Sequence, residues 1–384
     1  MRIAYVTPYY NGSIDGRLGR FHDWIHTARE DGAPFEFDVH AFTASNPDRV
    51  LFEEPHGYLG DAASLWGKKR NKAEFLLNAR RVHSSLQSRE YDVVHVLVMD
   101  AIVYPTVLSA VSDVPIVIGP DIAGWSPVRQ GPAWGTSPSS RIKHRLKYRQ
   151  KRLTARFGRY DVAVAYGEHH QNIMSSFGIP TGKISILKPG VNPIFSPGDT
   201  ATPHDPPKLL YVGDFSEHKG YSHFLRALSR LDRTVEARVV GSGDPREDLI
   251  EQLGIGEFVT IDGFVPRGEL PRIYRASDLV VIPSMDETAG TNVQFEALAS
   301  GTPVVLADNP GMNEFTPEGA SVVFSPRTVP RLVDALRRAI DNIGPLTETA
   351  RRQAHRFHAG GTLDRLAEIY DAVIKREESP SHST

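Results

Sequence analysis

The chain alternates short apolar, β-branched runs with segments of helical periodicity from one end to the other. Near-continuous apolar runs are typical of strands buried on both faces, and their alternation with helices predicts parallel α/β sheets. The first half contains six such runs, at 2–8, 35–43, 91–98, 115–119, 161–167 and 183–190. A second series of six follows at 209–215, 237–243, 259–264, 279–284, 303–308 and 320–325.

Helical patterns separate most of these strands, in the first half around 17–30, 71–89, 101–111, 141–157 and 168–177. A proline-rich stretch at 196–208, SPGDTATPHDPPK, divides the two series and is typical of a linker. We therefore predict two doubly wound, Rossmann-like domains facing a central cleft, 1–195 and 209–361. Residues 362–384 are predicted to form a helix and a frayed tail. The apolar stripe of that helix makes it a candidate to cross back to the first domain.

Composition narrows the classes of function. With 384 residues the chain has room for two cores, and 40% hydrophobic with 23% charged residues is typical of a soluble globular protein. The absence of cysteine excludes disulfides and thiolate chemistry. There is no His/Cys ligand cluster and no Asp-x-Asp motif, so we predict neither a cofactor nor a metal site. Because the most apolar stretch, 93–119, carries charges and Met1 leads directly into a strand, we expect a cytoplasmic protein.

The net charge of −2 conceals an asymmetry between the two halves. Residues 1–195 hold 24 Lys+Arg against 18 Asp+Glu, whereas the remainder holds 20 against 28. Nine of the basic residues and no acid lie within 141–159. Such a run is typical of a solvated helix face, or alternatively of a patch for anionic lipid head groups or a phosphorylated acceptor. No nucleic-acid motif is present, so nucleic acid is not expected as a partner.

Ligands of open α/β sheets bind outside the carboxyl ends of the strands, which makes the loops after the strands candidate sites. In NGSIDGR, Gly12 and Gly16 follow the first strand without the G-x-G-x-x-G spacing of a dinucleotide fingerprint. GDFSEHKG places Gly213 at a strand end and Lys219 before a helix, where an ammonium can neutralise a diphosphate. In VVGSGD, Gly241 would let the backbone skirt a ligand. Taken singly, each loop is equally typical of an ordinary turn.

The stretch DETAGTNVQFEALASGTPVV, residues 286–305, connects a predicted buried strand to a helix that begins near Thr291 and Asn292. Gly290 precedes that helix, whose first amides and dipole favour an anion. Glu296 lies about one turn inside the helix, where its carboxylate can accept two hydrogen bonds from a sugar diol. The alternative is a capping or surface glutamate.

Together these loops resemble the retaining glycosyltransferases of sequence family 4, the glycosyl transferases group 1, which have the GT-B fold. The resemblance is closest over 207–310 and is carried by LLYVGDFSEHKGYSHFLRAL, VVGSGD, VTIDGFVPRGELPRIYRASDLVVIPS and DETAGTNVQFEALASGTPVV. A looser likeness extends to MRIAYVTPYYNGSIDG, to YDVVHVL and to residues 163–199. The order of the motifs over nearly the whole chain is more specific than any one of them.

The resemblance implies a role for each matching residue. Glu296 would hold the ribose hydroxyls, and Glu287 would orient the donor sugar. Lys219 would neutralise the leaving pyrophosphate, and the backbone near Phe264 and Val265 would meet the base.

The resemblance also implies that bare backbone lies against the donor. Its matching positions are Gly12, Gly16, Gly213, Gly241, Gly290, Thr291 and Asn292. Among these, Gly12 would approach the diphosphate from the first domain.

The chain departs from the family pattern in three places. The acidic pair of the family is usually spaced E-x7-E, and counting back from Glu296 with that spacing puts Thr288 in the first acidic position. An alignment that keeps Glu-x-x-Gly intact puts Glu287 there instead, with one extra residue before Glu296. Asp286 is a rival for the same position. Asp214 stands where the family commonly has arginine, so another cation must neutralise the diphosphate or the donor differs. The loop GPDIAGW lacks a histidine that the family often has, and Asp121 is its nearest polar candidate for a catalytic role.

We therefore predict transfer of a sugar, with retention, from a nucleotide diphospho-sugar to a glycan, a lipid-linked or a small-molecule acceptor. Cell-envelope polysaccharide or glycolipid biosynthesis is the expected setting, with segment 141–159 in peripheral contact with the inner face of an anionic membrane. The alternatives are a catalytically inactive subunit of the same fold that binds nucleotide or a partner, and a UDP-sugar epimerase.

Overall fold

The structure, a computed structural model, describes residues 1–9, 24–43 except 26, 29 and 31, 78–97, 103–120, 149, 152–199 and 202–378 except 286, 288 and 326. These residues form two compact units. The first contains the described residues up to Lys188 together with those from Gly360 onward, and the second is Pro189–Ala359.

The first unit is built on a parallel sheet of six strands in the order β2-β1-β3-β4-β5-β6. The strands are Arg2–Tyr9 (β1), Glu36–Thr43 (β2), Val93–Val96 (β3), Ile116–Ile118 (β4), Val162–Ala165 (β5) and Ile184–Ile186 (β6). Strands β3, β4 and β5 are buried along their whole length, which explains their runs of valine and isoleucine. The helices Val103–Ala110 (α1) and Glu168–Ser176 (α2) belong to this unit, and residues 24–30, 78–87 and 152–157 contain further helical positions.

The second unit is built on another parallel six-stranded sheet, in the order β12-β11-β10-β7-β8-β9. Its strands are Lys208–Asp214 (β7), Glu236–Ser242 (β8), Val259–Gly263 (β9), Leu279–Ile282 (β10), Val304–Ala307 (β11) and Ser321–Phe324 (β12). Its helices are Tyr221–Leu228 (α3), Glu247–Leu253 (α4), Leu270–Arg275 (α5), Asn292–Ala299 (α6), Pro310–Asn313 (α7), Val329–Ile340 (α8) and Ile343–Gln353 (α9). Read from β9 to β12, the strand order is that of the doubly wound dinucleotide-binding fold.

The last helix, Gly360–Glu378 (α10), follows the second unit in sequence but packs in the first. Tyr370 is fully buried there, and its hydroxyl donates to His95 Nδ1 at 2.6 Å. His95 Nε2 in turn donates to the carbonyl of Gly119 at 2.7 Å. The apolar stripe that the sequence predicted is buried at Leu363, Leu366, Ile369 and Val373. The predicted return of this helix to the first domain is confirmed.

Each of the twelve predicted strands is present, with bounds that differ by a few residues at the ends. The two parallel α/β sheets confirm the predicted fold class.

We predict that acid weakens the packing of α10 on the first sheet. Burial lowers the pKa of His95 from 6.5 to about 4. Between pH 6.5 and pH 4, His95 is therefore protonated in the unfolded chain but neutral in the folded chain. The contribution of His95 to the free energy of unfolding is therefore fully present above pH 6.5. It is lost as the pH falls towards 4, by on the order of 3 kcal/mol.

Thermal unfolding followed from pH 7.5 to 4.5 measures this effect. His95→Gln should flatten the acid side of the profile by roughly one proton, whereas His355→Gln at an exposed position should not. Equal slopes in all three proteins would contradict the assignment.

Candidate functional site

The candidate residues of the second unit gather at one edge of its sheet. Strands β7 and β10 are neighbours, although β8 and β9 separate them in sequence. The order of connection reverses between them, and ligands of doubly wound sheets bind at such a switch point, outside the carboxyl ends of the strands. The loop with Lys219 follows β7, and the stretch from Glu287 to Glu296 follows β10.

Lys219 and Glu287 form an ion pair between these two loops. Lys219 Nζ donates to Glu287 Oε1 at 2.7 Å, and the side chains are 29% and 14% exposed, respectively. The structure thus brings together two residues that are 68 positions apart in sequence. The resemblance implied that Lys219 neutralises the leaving pyrophosphate and that Glu287 orients the donor sugar. The pairing itself was not predicted.

The backbones of the two loops are also locked together. The N–H of Met285 donates to the carbonyl of His218 at 2.9 Å. Gly220 has a left-handed φ of 72°, and a Cβ built there would lie 2.2 Å from the carbonyl oxygen of Pro283. A side chain at this position would therefore push the two loops apart.

Asn309, which sequence reasoning missed, holds the main chain of Glu287. It follows β11 and is 3% exposed. Its side-chain amide donates to the carbonyl of Glu287 and accepts from the N–H of Glu287, each at 2.6 Å, in the orientation that matches donors to acceptors. Both peptide groups that flank the Glu287 Cα atom are thereby fixed.

Glu296 lies inside a second cluster, and its side chain is 3% exposed. Its Oε1 atom accepts from Arg267 Nη1 and its Oε2 atom accepts from the Tyr274 hydroxyl at 2.8 Å. Burial, together with the nearby carboxylate of Glu296, raises the pKa of Tyr274 well above its usual value, so this hydroxyl remains a donor. The guanidinium carbon of Arg267 also lies 4.7 Å from the ring centroid of Phe195.

Neither partner of Glu296 was predicted as a site residue. Tyr274 is buried with Leu270 and Ile273 in α5, and Arg267 lies in the turn that precedes this helix. The surface or capping role considered for Glu296 is wrong, because the carboxylate is buried and paired.

The start of α6 is capped by Thr291, whose Oγ1 atom accepts from the N–H of Gln294 at 3.1 Å. The preceding Gly290 packs on aromatic rings: a Cβ built there would lie 2.4 Å from Phe295 and 2.9 Å from Phe315. Packing therefore requires glycine at 290, in addition to the predicted access of a ligand to the backbone.

The ends of β7 and β8 approach each other closely at the predicted glycines. Gly213 and Gly241 are paired in register, and a Cβ on Gly241 would lie 1.7 Å from the carbonyl oxygen of Gly213. Asp214, where the resemblance led us to expect arginine, is exposed and its Oδ1 atom accepts from the N–H of Ser216 at 3.2 Å. It therefore closes the turn that leads to Lys219.

The end of β9 presents Phe264, which is 47% exposed, beside the half-buried Val265. Other predicted site residues lie outside the described part of the chain: Gly12, Gly16, Asp121, Asp286 and Thr288. Among the described residues, no group of three or more His, Cys, Asp or Glu could hold a metal ion.

Comparisons with known proteins show what this fold and this edge of the sheet resemble. Residues 195–356 match the profile of the family described as Glycosyl transferases group 1. D-inositol 3-phosphate glycosyltransferase 1 of Catenulispora acidiphila is 34% identical over 232 residues, which is 53% of this chain and 55% of the relative. Alpha-D-kanosaminyltransferase of Streptomyces kanamyceticus is 30% identical over 186 residues, 44% of this chain and 46% of the relative. The chain thus spans about half the length of the curated relatives it matches.

Solved structures extend the likeness to both units. Sucrose-phosphate synthase from Thermosynechococcus elongatus has a TM-score of 0.77 at 18% identity and covers 98% of this chain and 100% of its own. Anabaena HepE in complex with UDP-glucose has a TM-score of 0.73 at 17% identity, with coverage of 97% and 100%. At these identities the likeness shows the fold, and the predicted GT-B fold is confirmed.

The family match covers residues 195–356, which lie within the second unit. The match agrees with the predicted resemblance and falls on the unit that carries the Lys219–Glu287 pair and the Glu296 cluster.

We predict that Gly220→Ala destabilises the second unit far more than Gly254→Ala. Both glycines have a left-handed φ, 72° and 64°, but only Gly220 is crowded, since a Cβ on Gly254 would meet nothing within 4 Å. The control should lose about 1 kcal/mol from backbone strain, and Gly220→Ala about 2 kcal/mol or more beyond it. Denaturant unfolding measures both values, and equal losses would show that the two loops do not depend on their close contact.

Proposed function

We propose that this chain is a retaining glycosyltransferase that moves a sugar from a nucleotide diphospho-sugar to a hydroxyl acceptor. The observation that carries the proposal is the placement of Lys219, Glu287 and Glu296 at the β7–β10 switch point of a sheet that belongs to this family. A cation, a partly exposed acid and a buried, hydrogen-bonded acid are what a diphosphate, a sugar and a ribose, respectively, require there.

In this proposal Lys219 exchanges one anionic partner for another. Without donor its ammonium is neutralised by Glu287 at 2.7 Å. A bound diphosphate, with its larger charge, would draw the ammonium and leave Glu287 to accept hydrogen bonds from the donor sugar. Lys219 then stabilises the charge that develops on the departing phosphate.

Glu296 would accept the ribose hydroxyls. Each carboxylate oxygen has two lone pairs, and Arg267 and Tyr274 occupy one on each oxygen. The charge of Arg267 compensates the cost of burying the carboxylate. The exposed ring of Phe264 would lie near the base.

The chemistry requires no protein nucleophile. The acceptor oxygen would attack the anomeric carbon on the face that the diphosphate leaves, the bond from that carbon to the phosphate oxygen would break, and the released phosphate oxygen would take the acceptor's proton. Retention then follows without the paired carboxylates of a glycosidase. The predicted role of Asp121 remains a proposal.

A UDP-sugar is the first donor to test, because Anabaena HepE, which shares the fold, is solved with UDP-glucose. Relatives named as D-inositol 3-phosphate and kanosaminyl transferases place phosphorylated polyols and amino sugars among the acceptors and donors to include.

We predict that Lys219→Ala and Glu296→Gln each lower transfer by about 100-fold across a panel of UDP-, GDP- and ADP-sugars. Glu296→Gln retains the shape of the side chain and tests the charge, and thermal unfolding would show whether the variant is folded. Glu251→Ala, at an exposed position of the same unit, is the control. Full activity in both variants would overturn the site assignment.

The same panel separates the alternatives. An inactive nucleotide-binding subunit would be stabilised against heat by a nucleotide without consuming any donor. A UDP-sugar epimerase would change the configuration of the sugar without an acceptor.

We further propose that the basic segment 141–159 lies on an anionic membrane surface. Among its described residues, Leu153 and Phe157 are 59% and 74% exposed and, four positions apart, share one side of a helical turn. Arg152 and Arg156 flank them and are exposed as well. Apolar side chains beside arginines suit the interface of an anionic bilayer. No helix in the described part of the chain has both the length and the apolar composition needed to cross a membrane.

We predict that the double variant Leu153→Ser with Phe157→Ser binds phosphatidylglycerol vesicles about tenfold more weakly or worse. The reason is that two apolar side chains that would insert into the bilayer interface are removed. Vesicle sedimentation measures it. Ile194→Ser, which changes a 48% exposed residue of the second unit, is the control. Binding that is independent of both the variant and the salt concentration would contradict the proposal.

A further inference from the structure

Asn309 makes an unusual contact for a side chain beside a candidate active site, because it pairs with main-chain groups of another loop. Its amide donates to the carbonyl and accepts from the N–H of Glu287, at 2.6 Å each. A carboxamide is the side-chain group that offers one donor edge and one acceptor edge in a plane, as a peptide group does. The contact therefore resembles one rung of strand pairing, made by a single residue.

Asn309 is itself held in place from two directions. The main-chain carbonyl of Asn309 accepts from the N–H groups of Met312 and Asn313 at 2.8 and 2.9 Å, which fixes the residue to α7. The carbonyl of Met312 accepts from Gln294 Nε2 at 2.8 Å, and Gln294 is a fully buried residue of α6. The main chain of Asn309 is thus anchored, through α7, to the helix that carries Glu296.

This chain of contacts reaches the charged pair. Asn309 fixes the main chain of Glu287, and the Glu287 carboxylate in turn holds Lys219 Nζ at 2.7 Å. The Glu287 side chain extends from the loop between β10 and α6. A loop of this kind needs a fixed point if its carboxylate is to occupy one place.

We propose that Asn309 is a positioning residue for Glu287: it acts through the backbone of Glu287 and sets where that carboxylate stands relative to the donor sugar. This rests on the proposed transferase function. In this proposal the effect of Asn309 is transmitted through the main chain of Glu287 and is confined to the step that depends on Glu287.

Asn309→Asp is the most specific variant, because it replaces the side-chain amino group by a carboxylate oxygen and changes the volume very little. The carboxylate can still accept from the N–H of Glu287 but repels its carbonyl, so one of the two contacts is lost. The expected result is a fall in kcat of about tenfold or more, with KM for the donor within about threefold of the unaltered protein. The affinity for UDP, which lacks the sugar, should stay unchanged within about threefold.

Asn313→Ala is the matched control on the same short helix. Asn313 Nδ2 donates to Asp308 Oδ1 at 2.7 Å, so its side-chain hydrogen bond goes to the residue before Asn309 and not to Glu287. Its kcat should be unchanged. A loss equal to that of Asn309→Asp would mean that any disturbance of α7 lowers activity, and would overturn the specific role.

A double-mutant cycle with Glu287→Gln tests whether Asn309 acts through Glu287. In the Glu287→Gln background, Asn309→Asp should lower kcat by less than about twofold, because the group that it positions no longer carries its charge. Fully multiplicative losses would overturn the proposal, as would an Asn309→Asp protein that retains full kcat.

Failure of the transferase assignment and failure of the role of Asn309 give different results. Absence of turnover by the unaltered protein with every donor would overturn the transferase assignment and this role with it. Turnover by the unaltered protein that Asn309→Asp matches would overturn the role of Asn309 alone.

Discussion

The adjacency of β7 and β10 is the constraint on which the candidate site depends. Because the order of connection reverses between these strands, their loops share one edge of the sheet although the residues they carry are about 70 positions apart. The contact between Gly220 and the carbonyl of Pro283 leaves no room for a side chain. Close packing of two backbones, more than any single charged pair, places Lys219 against Glu287.

Two polar clusters with different properties meet at this edge. The Lys219–Glu287 pair is partly exposed, and its partners can be exchanged for a ligand at little cost. Glu296 is buried with Arg267 and Tyr274, where removal of one partner would leave a desolvated charge. One cluster is suited to groups whose charge changes during a reaction, and the other to a fixed recognition element.

Sequence patterns were informative wherever the physical cause was local. Buried parallel strands need apolar residues on both faces, so all twelve were visible as β-branched runs. The apolar stripe of α10 likewise predicted a packed helix, and its return to the first unit was confirmed. Glycine 290 was identified from its place before α6, but the rings of Phe295 and Phe315 add a reason that its neighbours in sequence do not reveal.

By itself the sequence determined the two-sheet α/β fold and the resemblance to the glycosyl transferases group 1 family, and it singled out Lys219, Glu287 and Glu296 as candidate site residues. Only the tertiary structure decided their partners: Arg267 and Tyr274 for Glu296, Glu287 for Lys219, and Asn309 for the Glu287 backbone. The physical reason is that periodicity records which face of an element is buried, whereas a hydrogen bond between loops depends on distances set by strand order and packing. A buried asparagine after a strand has no sequence signature until the peptide group that it pairs with is brought to within 2.6 Å.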